Sequence, residues 1–314
     1  TVVTWQIGGK NLDSTFSGVI QNGNGSSQTA VRKTGSATLT LTAVNTYTGP
    51  TTVAAGRLSV MGSLASPSIE VAPAGTLSGT GTLAGAVVCN GTLAPGSPVG
   101  TLTLASGLAL SPASVLAYDL GTVSDRTHIT GALTLAGTLH VTATPGFGPG
   151  SYTLITYTGT LTDDDGLQLG TLPPGHEATI STATPGQVRL VVTRVLTPYE
   201  EWQISHFGST TNPDASPTAD PDGDSTSNET EFRLGLDPKN GSSSFKATGS
   251  LANGEFTLTW PSAAGLVFEI RRSASLDGPW ELLDTRSPIV SGPASFTDTA
   301  PLQPRGFYRI ALLP

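Results

Sequence analysis

Residues 39–60 read LTLTAVNTYTGPTTVAAGRLSV. Leu39 and Leu41 alternate with threonine, as on a half-buried strand. An Asn-Thr-Tyr-Thr-Gly-Pro turn follows, then a β-prone segment at residues 51–54, an Ala-Gly corner, and a third strand at residues 58–60. Together these make one coil. Its closing signature, Gly-x-Leu, returns at Gly75-Thr76-Leu77, Gly81-Thr82-Leu83, Gly91-Thr92-Leu93, Gly100-Thr101-Leu102, Gly131-Ala132-Leu133 and Gly137-Thr138-Leu139. Recurrence of this kind predicts a solenoid. Leu39, Leu58 and Leu77 are spaced by nineteen residues, near the lower end of about 20 for stacked coils. With like above like, Leu39, Leu41, Val53, Leu58, Val60, Ile69, Val71 and Leu77 are expected to build one apolar column.

Upstream, TVVTWQI at residues 1–7 puts Val3, Trp5 and Ile7 on one face of a strand. A second strand at 15–20 and a Gly/Asn-rich loop at 21–27 complete a first coil or cap. Downstream the column continues to residues 152–158 and 188–193, the last strong strands, with Leu172-Pro173-Pro174-Gly175 as a turn between them. At Val195 the pattern stops. Thr197 is a good N-cap, Pro198 suits the first helical position, Glu200 and Glu201 fall in the first turn, and Gly208 ends a helix. An acidic loop at 220–231 leads into a short helix over about 228–234, closed by Gly235. From Phe245 alternation returns in FTLTW, LVFEI, PWELL, SFTDT and GFYRIAL, which predicts a small antiparallel β-sandwich. Trp260, in phase with Phe256 and Leu258, is expected in its core. The expected organisation is all-β: a parallel β-helix at 1–195, a helical calcium-loop linker at 196–244, and a sandwich at 245–314.

Composition narrows the function. Charged residues make up 12%, about half the usual share, and residues 35–120 contain only Arg57, Glu70 and Asp119 as charged groups. A glycosidase needs two carboxyl groups facing one bond, so this stretch argues against catalysis. The net charge of −8, with no Lys/Arg cluster, argues against nucleic acid and anionic membranes as partners. No apolar run reaches the roughly 18 residues that would suggest a membrane span. Cys89, the single cysteine, lies in the apolar run Ala86-Val87-Val88-Cys89 and reads as a buried, inert thiol. The chain begins at Thr1 without methionine, which reads as either a processed mature protein or a fragment, and processing fits export.

One constellation carries chemistry. With Asp220 as position 1, Asp222 is at 3, Asp224 at 5, Thr226 at 7, Asn228 at 9 and Glu231 at 12. These are the oxygen-ligand positions of an EF-hand loop, Thr226 through its backbone carbonyl and Glu231 bidentately, which predicts Ca2+. The spacing lets a loop wrap one hard cation while a helix delivers the last carboxylate. Ser225 stands at position 6, where glycine normally permits the turn, and weakens the expected site. Asp163-Asp164-Asp165-Gly166 reads as a turn tip. His128, His140, His176 and His206 have no zinc spacing, and there is no Gly-x-Ser-x-Gly elbow.

Asn45-Thr46-Tyr47-Thr48-Gly49, Thr51-Thr52-Val53, Gly56-x-Leu58, Leu93-Ala94-Pro95-Gly96 and Gly100-Thr101-Leu102 resemble the autotransporter-associated β-strand repeat of bacterial surface proteins. The likeness covers residues 1–195 and implies a right-handed parallel β-helix and a secreted or surface-exposed passenger. Autotransporters end in a membrane β-barrel, and no barrel-length set of strands follows the solenoid here. Tyr199-Glu200-Glu201-Trp202, Phe207-Gly208, Asp220-Pro221-Asp222-Gly223-Asp224, Ser227-Asn228, Glu231-Phe232, Gly235 and Asp237-Pro238 are similar to a C-terminal region common in secreted proteins of Verrucomicrobia and related bacteria. Neither resemblance brings a catalytic residue. The expected function is an extracellular structural protein, a stalk or filament subunit whose uncharged strand at Thr1 to Ile7 docks on a second copy. The alternatives are an adhesin-like module that binds surface glycans and a polysaccharide-cleaving enzyme.

Overall fold

A computed structural model of the chain describes residues 1–163 and 166–313. Asp164 and Asp165, in the expected turn tip, lie outside the described residues. The chain divides into two compact units, Thr1–Val195 and Leu196–Pro314.

The first unit is a β-solenoid. Strands Thr38–Leu41, Thr51–Val60, Ser68–Gly79, Thr92–Pro95, Val115–Leu120 and Thr138–Ala143 pair in parallel, one after the next. Their register sets Leu39 against Leu58, Leu58 against Leu77, Leu77 against Leu93, Leu93 against Leu116 and Leu116 against Leu139. All six leucines are buried. Paired strands lie roughly 4.8 Å apart, so the leucines touch as a continuous column. A second column runs through Val31, Thr51, Ile69, Val87, Leu108 and Leu133, and a third, in the other sheet, through Asn45, Leu64, Leu83, Leu104 and Ile129. Every expected inward residue from Leu39 to Leu77 is buried, as is Cys89, whose thiol burial pushes up to about 11.

The turn signature has a physical basis. Asn45 is fully buried; its Oδ1 accepts from the Ile20 amide at 3.0 Å and its Nδ2 donates to the carbonyls of Ala43 and Ser63 at 2.9 and 3.1 Å. Tyr47 fills the interior with its hydroxyl 2.6 Å from Thr51 Oγ1. A side chain at Gly49 would run into the Thr29 carbonyl. A charged side chain also takes an inward position. Lys33, which pairs with Val53, is buried and donates through Nζ to the carbonyls of Thr34, Gly35 and Ala55 at 2.7, 3.0 and 3.1 Å. Burial lowers its pKa, and the charge of Asp13 partly opposes this.

The two ends of the solenoid differ. Parallel coils were expected to run to residue 195, but Gln187–Arg194 pairs antiparallel with both Gly150–Tyr157 and His176–Ser181. The link from Ser181 to Gln187 is too short for the crossover that parallel strands need, so the chain folds back as a hairpin. At the other end Val2–Ile7 pairs in parallel with Gln28–Lys33 of its own first coil, from Val2 opposite Gln28 to Ile7 opposite Lys33. Among the described residues its outer edge has no partner strand, and Val2, Val3 and Trp5 are each about half exposed.

The second unit holds two helices, α1 (Pro198–Phe207) and α2 (Asn228–Leu234), and two three-stranded antiparallel sheets. A capping box starts α1: Thr197 Oγ1 accepts from the Glu200 amide at 3.2 Å and Glu200 Oε2 accepts from the Thr197 amide at 2.9 Å. Gly208, at φ 77°, closes it. Thr248–Ala252, Glu255–Ser262 and Gly292–Asp298 form one sheet, and Glu281–Arg286, Phe268–Ser273 and Phe307–Leu312 the other. Leu258, Trp260, Phe268 and Ile270 are buried in a core joined by Leu234 of α2. The stretch expected as a linker, residues 196–244, therefore belongs to the same compact unit as the sheets. Arg272 ties the sheets together, reaching Asp298 at 2.8 Å and Glu281 at 2.9 Å, while the Tyr308 hydroxyl donates to Asp298 at 2.8 Å.

Candidate metal centre

Asp220, Asp222 and Asp224 each offer a carboxylate oxygen within 4.8 Å of the others. The loop is wound by its own side chains. Asp220 Oδ1 accepts from the amides of Gly223 and Asp224 at 3.0 and 3.1 Å, and its Oδ2 from Ser225 at 2.9 Å. Asp222 Oδ1 accepts from the Asp224 amide at 3.2 Å and Asp224 Oδ1 from the Thr226 amide at 2.8 Å. The second oxygens, Asp222 Oδ2 and Asp224 Oδ2, are buried without a hydrogen-bond partner. Ser225, at position 6, takes φ 71°, the left-handed turn that glycine normally supplies; a residue with a Cβ meets it at a cost of about 1–2 kcal/mol.

α2 brings the remaining side chains. Asn228 is fully buried, and its Nδ2 donates to the carbonyls of Asp214 and Ser216 at 2.7 and 2.8 Å. Two carbonyl acceptors identify the amino end of the amide, so the buried, unpartnered atom is Oδ1. Glu231 is fully buried, and neither carboxylate oxygen has a hydrogen-bond partner. Burial first, then the charges of Asp222, Asp224, Asp220 and Asp237, push its pKa up to about 7. Burial, with Asp224 and Asp220 close by, raises that of Asp222 as well. Removing the partner of a buried ion costs about 3–5 kcal/mol; a hard cation held by oxygen ligands would satisfy the aspartate oxygens, whereas the Glu231 carboxylate lies outside their 4.8 Å cluster. The donor set is all oxygen, which fits Ca2+ and not zinc.

Two contributions had no sequence signal. The short turn Pro213–Ala215 supplies the Asp214 carbonyl that orients Asn228, and Asp237, met in the sequence as a turn residue, adds its field at Glu231. The histidines stay apart: His128 Nδ1 meets the Thr156 hydroxyl, His140 Nδ1 accepts from the Thr171 amide and meets its hydroxyl, His176 Nδ1 meets the Pro174 carbonyl, and His206 lies beside Trp202.

A second recess lies on the solenoid. Thr40, Ser59 and Ser78 stand in register on successive strands and line it with Arg57, Asp119 and Thr142. It thus gathers two of the three charged residues between 35 and 120. Asp125 also borders it, but both of its oxygens accept backbone amides, from Gly100 at 2.9 Å and Asp119 at 2.8 Å.

Residues 31–60, which carry the Asn45 turn and the Leu39 and Leu58 rungs, match the family described as passenger-associated-transport-repeat. The chain is also similar to "Adhesin BmaC autotransporter" of Brucella suis biovar 1 (strain 1330), 50% identical over 115 residues. The match covers 33% of this chain and 3% of the relative, so the chain spans only a small part of that protein's length. Together the repeat and the relative support an autotransporter-associated β-solenoid. No helix of the described residues is long and apolar enough to cross a membrane.

Proposed function

We propose that this chain is part of a surface-exposed or secreted adhesin-like passenger, in which a non-catalytic solenoid acts as a stalk and the loop at residues 220–231 binds Ca2+ through Asp220, Asp222, Asp224, Thr226, Asn228 and Glu231. The carrying observation for the passenger is the leucine ladder, whose first rungs lie within the stretch that matches the repeat. The calcium reading stands on Glu231, buried with both oxygens unpartnered beside three aspartates. The chain displayed on a non-adherent bacterium should raise attachment to epithelial monolayers severalfold over the display scaffold alone. Unchanged attachment would count against the adhesin reading.

For an adhesin that binds glycans, the recess is the favoured contact, since it gathers the accessible Arg57, Asp119 and Thr40; Ser59 and Ser78 at its floor are buried, and Ser78 Oγ donates to the Leu58 carbonyl. The polysaccharide-cleaving alternative is disfavoured because Asp125, the second carboxylate there, is committed to two amides. The filament reading draws support from the open, uncharged edge of Val2–Ile7, since such edges pair with another chain unless blocked. A head-to-tail contact between copies would propagate. Fibres seen by electron microscopy for the native chain should vanish in a folded Val3→Lys, Trp5→Lys double variant.

A further inference from the structure

We propose that a calcium ion at residues 220–231 closes the hydrophobic core of the C-terminal unit, so that its two antiparallel sheets are stably folded only when the cation is bound. The inference rests on the calcium reading above. Its physical basis is that one short helix serves both sites. On α2, Glu231 is buried with both carboxylate oxygens unpartnered, within the field of the aspartates but outside their 4.8 Å cluster, and Leu234, three residues on and so beside it on the helix surface, lies in the core with Leu258, Trp260, Phe268 and Ile270. Between them, Arg233 Nη2 donates to the Leu313 carbonyl at 2.6 Å, just past the last strand. The loop is tied to the sheets a second time. Thr226 Oγ1 accepts from the Phe245 amide at 3.0 Å, and the Phe245 ring lies 6.1 Å from that of Phe268.

α2 is only seven residues long. Isolated helices shorter than about 12–15 residues are marginal in water, so α2 needs its contacts at both ends. Without a cation its calcium-facing side sets a buried, unpartnered carboxylate against three more, and opening the helix relieves that repulsion. Opening it also withdraws Leu234 from the core and releases the bond to Leu313. Neutralising the carboxylates locks the helix in place, so cation-binding free energy becomes folding free energy.

The experiment uses the full chain, with Ca2+ alone as ligand. Binding is measured by calorimetry, and amide hydrogen exchange is followed by mass spectrometry in calcium and in chelator. Strands Glu255–Ser262 and Phe268–Ser273 should exchange at least 100-fold faster in chelator, while Ser68–Gly79 in the solenoid is unchanged. Calcium binding with no change in the two sheet strands would overturn the inference and leave the calcium reading standing. Absence of binding would overturn both. Asp222→Asn separates linkage from simple misfolding. At saturating calcium it should regain the native protection, with its binding and protection midpoints both moved at least tenfold upward. Protection that ignores the shifted binding midpoint would overturn the proposal.

Discussion

Leu77 touches Leu58 on one side and Leu93 on the other, with none of its side chain exposed. Cutting it to alanine opens a void that two neighbouring rungs cannot fill, because both are held by their own strands. We expect Leu77→Ala to cost about 2–5 kcal/mol, and Thr76→Ala, on the half-exposed outer face, less than about 1 kcal/mol. Denaturant unfolding followed by circular dichroism checks this; equal losses would mean the inward register is wrong. Inward leucines were legible because alternation is a local property of a strand. Lys33 was not. An ammonium at an inward position survives only because three carbonyls from two coils meet it, and the sequence does not show which carbonyls will converge. Ser225 lies between these cases: its position in the loop was legible, and its left-handed backbone shows that the turn forms without glycine.

Helix α1 and the acidic loop at 220–231 were readable because caps and the loop's own side-chain bonds act within a few residues of one another. Pairing direction at the end of the solenoid was less so, since strands 152–158 and 188–193 look alike whether they run parallel or antiparallel. Asp125 joins elements in a way that only the fold reveals. It fastens the start of Thr101–Leu104 and the strand Val115–Leu120 to the start of Arg126–Ile129. Burial pushes its pKa up to about 6; the charge of Asp119 adds to this and the two amide bonds oppose it. The folded value thus lies above the unfolded one of about 3.9, so between these values the folded protein holds more protons. Stability from this group therefore falls as pH rises from about 4 to about 6, by on the order of 2–3 kcal/mol. Asp125→Asn, neutral at every pH, should lack this slope. Urea unfolding of both proteins at pH 4.5 and pH 7 measures the difference, and equal slopes would refute the assignment.

At the scale of the whole chain, the coil repeat was legible because a solenoid repeats its requirements. The shared core of α2 and the two sheets was not, since nothing near Leu234 in sequence names Trp260 or Phe268 as its neighbours. The two units also differ in what stabilises them. Arg57, Glu70 and Asp119 have no salt-bridge partner among the described residues, whereas the second unit carries the Arg272 pairs and the acidic loop. Raising sodium chloride from 0.05 M to 1 M shortens the screening length from roughly 14 Å to 3 Å. It should leave the unfolding midpoint of the solenoid within about 0.5 kcal/mol of its low-salt value, as read by exchange in Ser68–Gly79. The hydroxyl-faced rungs at Thr40, Ser59 and Ser78 have a consequence for where such a protein can work. Hydroxyls offer salt almost nothing to screen, and between residues 35 and 120 only Arg57, Glu70 and Asp119 are charged, so brine and fresh water are nearly the same medium to those coils, while the acidic loop at 220–231 responds to the fluid around it.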